Sequence, residues 1–144
     1  MFLRRGHAYV YFTYGNHFML NVTAEAPNVG GGVLIRALEP LEGLDQMRVH
    51  RKTTRLLDLT RGPGRLALAL QIDRRLDGID LCAAGPLWLG KLNPSGDRTL
   101  APVTKNIDRL GVSKRIGITR AAHRLLRFYE RGSPFVSGPS RLRS

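Results

Sequence analysis

Short apolar runs separated by turn-forming residues dominate the first forty positions. Residues Ala8 to Tyr14 read AYVYFTY, dense in the aromatic and β-branched side chains that suit a pleated surface, and Gly15-Asn16 follow as a turn signal. Phe18 to Ala24 (FMLNVTA) repeats the same character, so the pattern predicts a hairpin with Tyr14 to His17 at or near its tip. Strand alternation places Tyr9 and Tyr11 on one face. Beyond a loop at Pro27 to Gly32, Val33 to Leu38 (VLIRAL) is nearly continuously apolar, as expected of a strand buried on both faces. Arg36 interrupts that run, and a buried guanidinium needs a partner or a task.

Further along, the helical period takes over. Pro40 suits the first turn of a helix running to about Lys52, with Leu41, Leu44 and Met47 on one side and Glu42, Asp45 and Arg48 toward solvent. Gly62-Pro63-Gly64 breaks the chain before Arg65 to Ile72, whose alanine content favours helix over strand. Asp80 to Leu89 predicts a strand with an interrupting Gly-Pro, and Lys114 to Ile118 another extended segment. Thr119 then caps a short helix to about Leu125, before LRFYERGSP closes the domain. The expected architecture is α+β: a single domain over residues 1–137 with a hairpin-rich, mainly antiparallel curved sheet and packed helices, followed by a fraying basic tail over 138–144.

Composition supports a real core, since 144 residues at 42% hydrophobic content suit one domain without staples or metals. Charge changes the picture more. Lys and Arg outnumber Asp and Glu by 23 to 11, a formal net charge of +12, which favours a polyanionic partner: nucleic acid first, an anionic membrane surface second. A basic surface that serves only solubility is the plainer alternative. No run approaches the roughly 18 apolar residues of a membrane span, and MFLRRGHAYVYF lacks the ordered regions of a signal peptide, so a cytoplasmic protein is expected, nucleoid-associated if bacterial. The single Cys82 permits no internal disulfide, and its apolar surroundings from Ile79 to Leu89 predict that it packs rather than reacts.

Self-contained catalytic motifs are absent: there is no HExxH, GxSxG, phosphate-binding loop or spaced Cys/His cluster, and no metal or organic cofactor is expected. His7, His17, His50 and His123 are scattered and read as surface or packing residues. The cluster of Tyr9, Tyr11 and Tyr14 in so basic a chain is more suggestive, because flat amphipathic rings stack on bases or wedge between them. Read alone, these tyrosines fit ordinary sheet aromatics equally well.

The string YVYFTYGNHFMLNV (Tyr9 to Val22) followed by VLIRALEPLEG (Val33 to Gly43) resembles the central signature of the alkyladenine (3-methyladenine) DNA glycosylases. RGPGRLALAL (Arg61 to Leu70), RIGI (Arg115 to Ile118) and LRFYERGSPFVS (Leu126 to Ser137) continue the resemblance in the same order, while Asn93 to Leu110 carries it less clearly. The resemblance implies a monofunctional glycosylase, a monomer acting on double-stranded DNA, that flips a damaged purine out of the duplex and lets water cleave its N-glycosidic bond as the first step of base excision repair. It implies Tyr11 as a wall of the base pocket, Asn21 as a pocket-floor residue that excludes the guanine amino group, and Tyr14 as the intercalating wedge. It implies that Arg36 and the Ile116 carbonyl hold the attacking water, and that Arg51, Arg65 and Gly117 face the DNA backbone.

Two departures accompany the resemblance. The family's general-base glutamate, a neighbouring tyrosine and a pocket histidine precede the tyrosine-rich strand, and this chain is expected to lack them. Glu25, Glu39 and Glu42 are not expected to substitute, and Asn16 stands at a tip position where an apolar wedge occurs in the family. Two functional expectations follow: a glycosylase removing 3-methyladenine and related lesions such as hypoxanthine, or a catalytically inactive module that binds damaged or distorted DNA. A basic structural or RNA-associated protein is a third class, which requires the resemblance to mislead.

Overall fold

The computed structural model describes residues 1–13, 15–92, 98–99 and 109–140. Tyr14, most of the 93–110 stretch and residues 141–144 of the basic tail therefore lie outside the described residues. The architecture is α+β, with antiparallel pairing throughout the described strands, as the sequence predicts.

β1 (Ala8–Thr13) and β2 (His17–Thr23) form the expected hairpin, paired from Ala8 opposite Val22 to Thr13 opposite His17. β3 (Gly32–Leu34) adds a third strand on the far side of β2. Period-two alternation divides the hairpin cleanly. Ala8, Val10 and Leu20 turn inward to meet Leu66, Ala67, Ile72 and Leu81 in the main core cluster. Tyr9, Tyr11, Met19 and Asn21 occupy the opposite face, since directly paired residues share a side.

Helices cover the inward face. α1 (Leu44–Arg51), α2 (Leu56–Thr60) and α3 (Pro63–Ala69) follow β3, and Pro63 stands at the start of α3, where a missing N–H costs nothing. α3 supplies Leu66 and Ala67 to the core, and the Thr60 hydroxyl donates to the Leu38 carbonyl at 2.6 Å, tying α2 to the chain leaving β3. The outer edge of β1 is closed by the segment around a single 3₁₀ turn at Arg74–Leu76. There the Gly78 N–H donates to Ala8, the Ala8 N–H to Ile79 and the Leu81 N–H to Gly6, at 2.8–2.9 Å, while the Asp77 carboxylate accepts from the Val10 N–H at 2.8 Å. An otherwise open sheet edge is thereby satisfied. Short antiparallel pairs β4 (Lys91–Leu92) with β5 (Arg98–Thr99), and β6 (Leu110–Ser113) with β7 (Arg127–Glu130), complete the described elements.

Several expectations require correction. β3 stops at Leu34, and Val33 is 56% exposed, so the run to Leu38 is not a strand buried on both faces. Only an isolated bridge from Ala37 to Arg61 continues it. α1 begins at Leu44 rather than Pro40, because Gly43 takes a left-handed conformation (φ 70°) just before it, and none of its residues is fully buried. Asp80 to Leu89 is not a strand: Asp80 makes one bridge to His7, and Gly85-Pro86 deny the rest a regular partner. The strand or extended segment expected at Lys114–Ile118 forms no strand there; a strand lies at Leu110–Ser113, where β7 offers a pairing partner, and no helix forms from Thr119 to Leu125. Cys82 is exposed rather than packed inside, its sulfur lying beside Gly6.

Leu66 is fully buried in the core while Leu68, on the other side of the same helix, is 46% exposed. Leu66→Ala is expected to cost about 2–5 kcal/mol in urea unfolding and Leu68→Ala less than about 1 kcal/mol. Equal costs would contradict this orientation of α3.

Candidate functional site

The face of the hairpin turned away from the core carries the aromatic pair. Tyr9 and Tyr11 are two residues apart on β1, and their rings stack with centroids 5.4 Å apart and planes 28° from parallel. Asn21 lies directly opposite Tyr9 and is 8% exposed; its Nδ2 donates to the Tyr9 carbonyl at 3.2 Å, so the amide is pinned across the two strands. Met19, opposite Tyr11, is equally buried.

Register also leads toward Arg36. Asn21 pairs with Leu34, and the Ile35 N–H donates to the Leu20 carbonyl at 3.0 Å, so the alignment persists one residue past β3. Arg36 follows next in the chain, past the last paired residue of β3 and directly before the Ala37 bridge to Arg61. Arg36 is half-buried, and its Nε is buried with no hydrogen-bond partner.

A second guanidinium approaches from β7. Arg127 is only 5% exposed, donates through one Nη to the Ser137 carbonyl, and lies 5.6 Å from the centre of the Tyr129 ring; its other Nη is buried without a partner. Burial pushes its pKa down, and the nearby Arg36 charge pushes it further in the same direction. Around it, Arg115 donates to the Arg120 carbonyl at 2.7 Å, which shapes the loop carrying Ile116 and Gly117. Gly117 has a left-handed backbone (φ 70°), and Ile116 is 37% exposed with its Cδ1 against Gly138. Arg127 was not singled out from sequence, although its two-residue spacing from Tyr129 in an apolar strand was the available signal.

The remaining predicted residues lie on the helices. Arg51 at the end of α1 donates to the Asp58 carbonyl at 3.3 and 3.4 Å, and Arg65 on α3 pairs with the Asp58 carboxylate at 2.8 Å. The structure thus brings Arg51 and Arg65 together, and Ile116 and Gly117 together beside Arg127, whose charge feels that of Arg36, while Tyr11 and Asn21 share the hairpin face. Tyr14 lies outside the described residues. A separate cavity of about 530 Å³ lies elsewhere, lined by Glu39, Arg109 and residues Glu130 to Pro134, and it contains none of these predicted residues.

Chemically, a flat stacked aromatic surface beside a pinned amide and two uncompensated guanidiniums suits a planar ring with an anionic neighbour. The chain matches a family model described as methylpurine-DNA glycosylase over residues 1–134. The chain belongs to the methylpurine-DNA glycosylase family. It is 59% identical over 142 residues to a Mesorhizobium japonicum protein named "Putative 3-methyladenine DNA glycosylase", covering 99% of this chain and 63% of that protein. Proteins of the same name from Paraburkholderia phytofirmans and Methanoculleus marisnigri are 49% and 43% identical, over 99% and 95% of this chain and 62% and 67% of their own lengths. The chain thus spans a little over three-fifths of the first two of these methylpurine-DNA glycosylase relatives.

The contact between the Ile116 loop and Gly138 yields a stability test. Gly138 has φ 98°, and a Cβ there would stand 2.6 Å from Ile116 Cδ1, whereas Gly132 (φ 75°) has open space around it. Gly132→Ala is expected to cost about 1 kcal/mol from backbone strain alone, and Gly138→Ala about 1–3 kcal/mol more, read by urea unfolding. Equal losses at both positions would show that the Ile116 loop does not pack on Gly138.

Proposed function

We propose that this chain carries the base-receiving and backbone-facing parts of a DNA glycosylase that removes 3-methyladenine, and related purines such as hypoxanthine, from duplex DNA. The observation that carries the reading is the stacked Tyr9–Tyr11 pair beside the pinned Asn21, on a family member with net charge +12.

Tyr11, already stacked with Tyr9, offers an electron-rich face to an electron-poor alkylated purine. Asn21 cannot swing freely while its amide donates across the strands, so a base with an exocyclic group at that position meets a fixed obstacle. Tyr14, which follows β1 in sequence, fills the gap left by the extrahelical nucleotide. Water attacks the anomeric carbon, the N-glycosidic bond breaks, and its electron pair leaves with the base, a departure that alkylation eases by placing positive charge on the purine. Arg36, with the Ile116 carbonyl, orients that water and the adjoining phosphate. Proton abstraction falls to the glutamate that precedes the tyrosine-rich strand in the family. Gly117 and the basic helix surface set the protein on the backbone without reading sequence, and the protein works as a monomer along one face of the duplex. Among the described residues no helix is long and apolar enough to cross a membrane.

Release of 3-methyladenine from a lesion-containing duplex under single-turnover conditions tests the reading, using this chain beside a form extended upstream to include the glutamate. The extended form should release base, and Tyr11→Ala should slow release at least about tenfold while changing affinity for undamaged duplex less than about twofold, as loss of one stacking partner requires. Release by neither form, with lesion preference intact, would make the protein a binding module for damaged DNA. Release by neither with no lesion preference would overturn the base-receiving role.

A further inference from the structure

One carboxylate at the junction of the helices gathers an unusual number of guanidiniums. Asp58 of α2 lies 2.8 Å from Arg65, 3.4 Å from Arg55 and 3.6 Å from Arg61, while its carbonyl accepts from Arg51. The Asp58 side chain is only 20% exposed and that of Arg61 only 22%. Four arginines against one aspartate leave an excess of three positive charges in this set. The strain shows on Arg51, whose pKa is pushed down first by burial and then by the Arg65 charge, with Asp58 only partly opposing both. Like charges held this close are costly until an anion arrives, and guanidinium forks match phosphate oxygens in pairs.

The position is equally informative. Arg61 bridges Ala37 in backbone pairing, and Ala37 is the residue after Arg36. The cluster is therefore joined by backbone pairing to the segment that leaves β3 and carries Arg36. A nucleic-acid strand delivering one base to the hairpin face would bring its neighbouring phosphates toward these arginines.

We propose that Asp58 is a positioning residue that holds Arg51, Arg55, Arg61 and Arg65 as a preformed clamp for the phosphodiester backbone of DNA, so that Arg55 and Arg61 join the backbone contacts and Asp58 governs them. The inference rests on duplex DNA being the partner, and it is independent of base release. Asp58 never touches the phosphate itself. Its carboxylate fixes the directions of three side chains, and its carbonyl fixes the fourth.

Asp58→Asn separates positioning from simple charge, because the two make opposite predictions. Removing a negative charge from a DNA-binding face strengthens binding if only the overall field matters. If Asp58 organises the clamp, the same substitution weakens binding. Fluorescence anisotropy with an undamaged duplex and a matched lesion-containing duplex, over a range of salt concentrations, reads both. The expected result is about a fivefold to tenfold weaker affinity for both duplexes, with their ratio unchanged and with Asp58→Glu recovering most of the loss. Arg61→Gln, which leaves Asp58 in place, should lower the slope of log affinity against log salt by about one, as loss of one phosphate contact requires. Thermal melting checks the fold of each variant, and Arg61→Gln decides the matter if Asp58→Asn does not fold. Unchanged or tighter binding by a folded Asp58→Asn, an unchanged slope with Arg61→Gln, or no binding of undamaged duplex by the unsubstituted chain overturns the clamp. Equal binding of the two duplexes by the unsubstituted chain would instead count against the base-receiving face, leaving the clamp to be judged on the slopes.

Discussion

The antiparallel register of β1 and β2 is the constraint on which the rest of the molecule depends. With Ala8 opposite Val22 and Tyr9 opposite Asn21, one set of side chains enters the core and the other forms the aromatic face. A slip of one residue would turn one strand over relative to the other, so that Leu20 would share a side with the tyrosines rather than with Val10. Three features hold the register: the tight connection between Thr13 and His17, the Asn21 amide bonded across to Tyr9, and the 74–81 segment that closes the outer edge of β1. The side chain proposed to exclude unwanted bases thus also helps lock the strands that present the pocket wall.

Electrostatics builds on that frame rather than creating it. Arg36 and Arg127 lie close enough for one charge to bear on the other, and each keeps a buried nitrogen without a partner. The Asp58 group repeats the arrangement at the helix junction with more arginines and one organising carboxylate. A surface that only maintained solubility would scatter its charges in water. Here several converge, Arg36 near Arg127 and four arginines around Asp58, an arrangement that suits a polyanionic partner of the kind proposed above.

How much of this was legible in the sequence depends on whether the signal was local. The hairpin was, because aromatic and β-branched alternation on both sides of Gly15-Asn16 specifies strands and their turn together. α3 was legible for similar reasons, with Pro63 and an alanine-rich turn marking it. Elements whose existence depends on a distant partner were not. In place of the strand or extended segment expected near residue 114, a strand forms at Leu110–Ser113, because its partner β7 lies 14 residues away from Ser113 to Arg127 at the nearer end and 20 from Leu110 to Glu130 at the farther. The 80–89 run stayed irregular because nothing aligned beside it beyond His7. At the site, Tyr9 and Tyr11 share one face of the hairpin, as strand alternation implies, and the register adds Asn21 to that face. Arg127 and Asp58 escaped notice because their importance lies in which guanidiniums surround them, and spacing along the chain carries no trace of that.

The central claim is that the Tyr9, Tyr11 and Asn21 face receives a base that has left the helix. It is tested most directly with a duplex carrying 2-aminopurine immediately beside a target hypoxanthine, because that fluorophore brightens when its stacking neighbour is withdrawn. Titration with the protein should raise fluorescence several-fold, in step with binding and only when the lesion is present. Saturated binding with no change in fluorescence would mean that the base stays stacked, and the face would then serve some other purpose.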